Sequence, residues 1–166
     1  MHRVRIFIMT STTQPFRVQW VFGQVAEALR RQIVSFWLQQ GALSHADEAW
    51  RRSFEVACVL QEASGGLAGV CTVAIHIDDQ ARCYGFVRMF IRPDCRRPGL
   101  NMQLIERTIE GFTQLAREPG GPQRLVATIE NRKLERKAAQ RILARLGFVH
   151  AGVAPHGERV MQRRLG

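Results

Sequence analysis

Between Phe54 and Ile91 the hydrophobic pattern takes the period of a β-strand three times in succession, which no all-helical fold can absorb. The runs are FEVACVLQE, LAGVCTVAIHI and CYGFVRMFI. Gly65-Gly66 separates the first two and Asp78-Asp79 the last two, and both pairs suit tight connections between antiparallel strands. Pro93 closes the third run, because it offers no amide to a ladder. A sheet of at least this extent must sit at the centre of the molecule.

The flanking segments supply the other layers. FRVQWVF, residues 16–22, reads as a short strand. Val25, Ala28, Leu29, Gln32, Ile33, Phe36 and Trp37 then share one helical face until Gln39-Gln40-Gly41 stops it. A short helix is expected over His45 to Arg52 with Ser44 as its cap, and Trp37 and Trp50 are expected to pack the core or a lid. Past the sheet, Met102, Ile105, Ile109, Phe112 and Ala116 recur at helical spacing. EPGGPQ breaks that helix, RLVATIE is a strand, and Asn131 is the expected cap of another long helix reaching about Leu146. FVHAGV and ERVMQRRL close the chain as strands around the turn Pro155-His156-Gly157. The order β-α-α-β-β-β-α-β-α-β-β predicts an α+β or α/β fold with a mixed sheet and helices on its faces. With 166 residues, 46% of them apolar, and no polar linker, one domain is expected over 16–166 behind an N-terminal extension at 1–15.

Composition narrows the function. Lysine and arginine number 24 against 14 acids, a formal charge of +10, which suits an acidic ligand or partner, or simply solubility. Four cysteines fall singly, with no CxxC and no paired histidine, so no metal site and no disulfide framework are expected, and a reducing, cytoplasmic setting is. No apolar run approaches the roughly 20 residues of a membrane helix. The start, MHRVRIFIMTSTTQPF, lacks a secretory h-region, and Met9 is a second candidate start.

The stretch RRPGLNMQLIER, residues 96–107, puts two arginines, a proline and a glycine at the mouth of a helix. A helix start carries unpaired amides and partial positive charge, and Gly99 leaves them approachable. Arg96 and Arg97 add mobile charge. These residues suit a phosphate-bearing ligand, although the stretch is neither a P-loop nor a dinucleotide fingerprint.

FVRMFIRPDCRRPGLNMQLIE resembles the acyl-CoA-binding core of the GNAT superfamily of N-acyltransferases, in which an apolar-x-Pro strand end leads to Gln/Arg-x-x-Gly-x-Gly/Ala opening a helix. Ile91-Arg92-Pro93 and Arg96-Arg97-Pro98-Gly99-Leu100-Asn101 stand at those places. Asn131, Ala139 and Leu146-Gly147-Phe148 are similar to a second segment of the family, in the right order. The resemblance implies a GNAT-like, mostly antiparallel central sheet flanked by helices. It implies that amides from Arg97 to Met102 hold the pyrophosphate of coenzyme A. The strand edge near Phe90 and Ile91 would pair with the pantetheine and polarise the thioester carbonyl, and Asn131 would line the path. The implied activity is transfer of an acetyl group from acetyl-CoA to an amine. A longer acyl-CoA, a carrier-protein-bound donor, and a non-catalytic acyl-CoA- or RNA-binding module are the alternatives.

The chain also departs from the family pattern. Asn101 replaces the usual small residue, Leu143 occupies the place of a frequent tyrosine acid, and Gly85 and Val87 occupy the candidate places of a frequent glutamate. Proximity and the amide oxyanion hole would then carry more of the catalysis, with His156 in the last turn as the candidate base; His76, His150 and Tyr84 rank behind it. Arg132, Lys133, Arg136, Lys137, Arg141 and Arg145, with Arg159, Arg163 and Arg164, form either a solvated face or a dock for RNA or an acidic carrier protein. An exposed final strand could pair between subunits as a homodimer.

Overall fold

The computed structural model describes residues 15–130 and 132–166, without the side chains of Pro98 and Leu134; residues 1–14 of the expected extension and Asn131 lie outside the described residues. The elements run β1 (Phe16–Trp20), α1 (Glu27–Gln39), α2 (Ala46–Ser53), β2 (Val56–Glu62), β3 (Leu67–Ile77), β4 (Cys83–Ile91), a 3-10 turn (Pro93–Cys95), α3 (Pro98–Leu115), β5 (Arg124–Ile129), α4 (Lys133–Arg145), β6 (Val149–Val153) and β7 (Arg159–Arg164). The three alternating runs form the meander β2-β3-β4. All seven strands lie in one sheet of order β1-β2-β3-β4-β5-β7-β6, in which only β4 and β5 run parallel. The mixed, mostly antiparallel sheet with helices on both faces is the expected architecture.

Strand alternation divides the core in two. Cys71, Val73, Val87, Ile91, Leu125 and Ala127 pack on Leu104, Ile105, Ile109 and Phe112 of α3 and Leu143 of α4. On the other face Val70 and Phe90 meet Ile33, Phe36 and Trp37 of α1. Trp37 is thus core, whereas Trp50 is exposed and packs edge-on to Phe54. A Cβ built on Gly111 would lie 2.2 Å from the Trp20 ring, so a glycine there lets α3 settle on β1.

Three expectations need correction. His45, not Ser44, is the N-cap of α2, and it makes no side-chain cap bond. The N-cap of α4 is Arg132, one residue beyond Asn131. The final strand is not a free edge: β7 inserts between β5 and β6, because its backbone pairs on both sides, and β6 is the edge strand.

Candidate functional site

The sheet is torn at its one parallel pair. β4 and β5 are in register only at Tyr84↔Arg124, Gly85↔Leu125 and Phe86↔Val126, and then part. The turn at Asp78 secures the closed end. Its carboxylate accepts the amides of Gln80 and Arg82 at 3.0 and 2.9 Å and the Arg124 guanidinium of β5 at 3.1 Å. The Arg82 amide first, and then the Gln80 amide and the Arg82 guanidinium, hold Asp78 below the ordinary carboxylate range. Arg92 donates its amide to Ala68 across the β3 side of β4, so the hydrogen-bonding phase turns the backbone of Phe90 toward β3. The same alternation turns Met89 and Ile91 toward the gap. Opposite them, Leu165 bonds Gln123 across β7, which turns the backbone of Thr128 and Glu130 to the gap.

The glycine loop follows directly. Arg92 fixes its start: the guanidinium donates to Asp94 at 2.6 Å, to Glu62 at 2.7 Å and to the Leu67 carbonyl at 3.1 Å. Arg96 donates to the Ile91 carbonyl at 2.9 Å and lies over the Phe90 ring, while exposed Arg97 is the N-cap of α3. Both Leu100 and Asn101 donate to the Arg97 carbonyl, at 3.0 and 3.2 Å. Gly99 thus has the first amide of α3, since Pro98 carries none, and a Cβ at Gly99 would meet nothing within 4 Å. Leu100 is buried beneath the turn, and Met102 is half-buried. Asn101 lines the gap with a buried Oδ1 that has no hydrogen-bond partner.

A cleft of 880 Å³ runs through the gap and opens on both faces of the sheet. On the α3–α4 side its wall is mostly apolar, with Ile105, Ile109, Leu125, Ala139 and Leu143, interrupted by Asn101, Thr108 and Glu135. On the α1–α2 side it is mixed, with Trp37, Leu43, Arg52, Thr72, Phe86 and Arg88. Glu130, Glu135 and Glu158 line its far wall. The sequence reading missed Arg52, Arg88 and the glutamates. No motif marks them; the β3–β4 register sets Arg88 beside Thr72, and the packing of α2, α4 and the last turn brings Arg52 and the glutamates to the same cleft.

The other predicted residues spread out. Among the lining residues the last turn is represented by Glu158, and His156 is exposed in that turn. His76 and Tyr84 stack together on β3 and β4, Arg124 stacks on Tyr84, and His150 lies exposed on β6. A Cβ on Gly85 would meet Val73 Cγ1 at 2.5 Å and Leu125 Cδ2 at 2.9 Å, so no glutamate fits there. The basic residues of α4 are largely exposed, but Arg163 donates to the Leu146 carbonyl at 2.7 Å and so closes the end of that helix. The four cysteines are free; Cys58, Cys71 and Cys95 are buried, and burial pushes the Cys71 thiol up to about 12. Among the described residues no cluster could hold a metal, and no helix is long and apolar enough to cross a membrane.

A seven-stranded mixed sheet parted at β4 and β5, with a glycine-opened helix start after β4, is the fold of the GNAT acetyltransferases. Three solved structures show it at close to full length. An acetyltransferase of the GNAT family from Streptococcus pneumoniae matches with a TM-score of 0.67 and 16% identity over 91% of this chain and 99% of that one. A GNAT superfamily phosphinothricin acetyltransferase from Sinorhizobium meliloti, in complex with acetyl-CoA, matches with a TM-score of 0.70 and 18% identity over 92% and 89%. A ribosomal-protein-S5-alanine acetyltransferase from Vibrio fischeri gives 0.67 and 15% over 91% and 93%. No protein-family model and no curated protein matches the chain in sequence.

Proposed function

We propose that the chain is a GNAT-type N-acyltransferase that moves an acetyl group from acetyl-CoA to an amine. The observation that carries this reading is the gap between β4 and β5 ending at the open amide of Gly99. The residues present fit the cofactor on three counts: free strand edge, open helix start with Arg96 and Arg97 beside it, and the orphaned Asn101 Oδ1 as an acceptor. In this proposal the free amide of Gly99, at the centre of the 97–102 loop, and the two arginines hold the pyrophosphate. The Met89 and Ile91 edge receives the pantetheine, and its amide donors polarise the thioester oxygen. Phe90 adds its ring, behind Arg96.

The bound thioester supplies an activated acyl carbon, to which the amine nitrogen bonds as the carbon–sulfur bond breaks and the sulfur leaves with a proton. Leu143 cannot donate that proton, so proximity in the gap and solvent carry more of the step. Glu158, half-buried on the cleft wall, is the proton acceptor for the incoming amine in preference to exposed His156. The free cysteines suit a cytoplasmic setting.

Calorimetry with acetyl-CoA, followed by thiol release over a panel of amines, tests the reading: saturable binding and amine-dependent release are expected. The mostly apolar α3–α4 wall favours a second reading, a longer acyl donor, and faster release from medium-chain acyl-CoA than from acetyl-CoA would select it. Binding without release would leave a non-catalytic module. Salt-sensitive binding of RNA or an acidic carrier would give the α4 face a role.

A further inference from the structure

Two arginines, Arg52 and Arg88, line the α1–α2 mouth of the cleft. Arg88 projects from β4 on the face of Phe86, stacks on that ring at 4.5 Å, and keeps a side chain 42% exposed. Arg52 comes from α2, pairs with Glu48 at 2.6 Å, and has a buried Nε with no partner. Glu55 is drawn toward Arg51 at 3.2 Å and reaches Arg88 only at 4.0 Å. Arg88 thus lies among Arg51, Arg52, Glu48 and Glu55, with its nearest carboxylate oxygen 4.0 Å away. Burial first, and then the Arg52 charge, holds Arg88 below the ordinary arginine value.

Both arginines line the cleft that reaches the gap between β4 and β5, as does Thr72, the cross-strand neighbour of Arg88. Two arginines at a cleft mouth, Arg88 only loosely paired, suit one compact anion held by forked donors. With the carboxylates of Glu48 and Glu55 already beside the arginines, a singly charged carboxylate meets less repulsion there than a doubly charged phosphate. We infer that the acceptor is a small amine carrying a carboxylate, in class an amino acid, and that Arg52 and Arg88 receive its carboxylate while its nitrogen lies toward the gap. This inference rests on the acetyl-transfer reading above, and adds the substrate class. Arg52 and Arg88 act here as specificity determinants.

The test uses the full chain with acetyl-CoA and matched probes: the twenty amino acids, their carboxamides and their decarboxylated amines, read by thiol release. At least one amino acid should be acetylated with kcat/KM about tenfold or more above its carboxamide, as expected for charge-assisted pairing. Arg88→Gln should raise KM for that acid about tenfold while kcat changes less, and should collapse the acid-to-amide ratio toward one. Arg52→Gln should do the same, but it also frees Glu48, so the exposed Arg88 variant is the deciding one; a melting profile of each confirms folding. Carboxamides or plain amines acetylated as well as the acids would overturn the inference, as would an unchanged ratio in Arg88→Gln. Acetyl-CoA binding with no amino acid acetylated also overturns it and leaves acetyl transfer standing. Failure to bind acetyl-CoA removes the underlying reading, and this one with it.

Discussion

At Gly85 and Gly111 the chain has no room for a single added carbon, while at Gly99 it has nothing but space. The two kinds of glycine predict opposite outcomes. Gly111→Ala pushes a methyl into the Trp20 ring and should cost about 1–3 kcal/mol in denaturant unfolding. Gly99→Leu should leave unfolding close to wild type and weaken acetyl-CoA binding more than tenfold by calorimetry, since bulk closes the approach to the helix amides. Equal losses of stability at the two sites would make Gly99 merely structural. The last turn offers a second contrast. Glu158→Gln should lower kcat about 100-fold, at the low end for a general base, and His156→Ala should change it little. The reverse ranking in steady-state kinetics would return the base to His156. Sequence marked Gly99 because a motif surrounds it, and missed Glu158, whose place on the cleft wall depends on how β6 and β7 fold back.

At the scale of elements the decisive feature is a parallel pair held only at its closed end. Amide exchange should read this directly: Met89 should exchange fast in the free protein, and Gly85, inside the paired stretch, slowly. Acetyl-CoA should slow Met89 if the cofactor adds to the strand edge, and an unresponsive Met89 would argue against that mode. Asp78 ties the β3–β4 turn to Arg124 of β5, so it holds the closed end of the gap. Its pKa is lowered in the folded state, so its contribution is present above the ordinary value of 3.8 and disappears as pH falls through the lower folded value. Asp78→Asn should therefore melt lower than wild type at neutral pH, and the two curves should converge in acid. The strands and helices themselves were legible, because their periods are local. The caps of α2 and α4 were not, because a side chain that favours a cap in isolation does not decide where packing starts the helix.

Across the whole molecule, ligand binding and stability are linked. At a concentration 100 times its dissociation constant, acetyl-CoA should stabilise the folded chain by about 2.7 kcal/mol. For a domain of this size that raises Tm by roughly 5–10 °C. A melting scan with no shift at saturating acetyl-CoA would contradict the proposed cofactor. The basic surplus of +10 gives no comparable expectation on its own, because a net charge does not say where the cations lie, and Arg92, Arg124 and Arg163 serve the fold.

By itself the sequence determined the order of strands and helices, the apolar faces, and the glycine loop with its arginines. These are encoded in spacings of a few residues, where backbone geometry and hydrophobic period act without reference to distant segments. The tertiary structure alone decided that β7 inserts between β5 and β6, that Gly85 excludes any side chain, and that Arg52, Arg88 and Glu158 share one cleft. Those outcomes depend on strand register and on helices meeting across the sheet, contacts between residues far apart in the chain that no local pattern records.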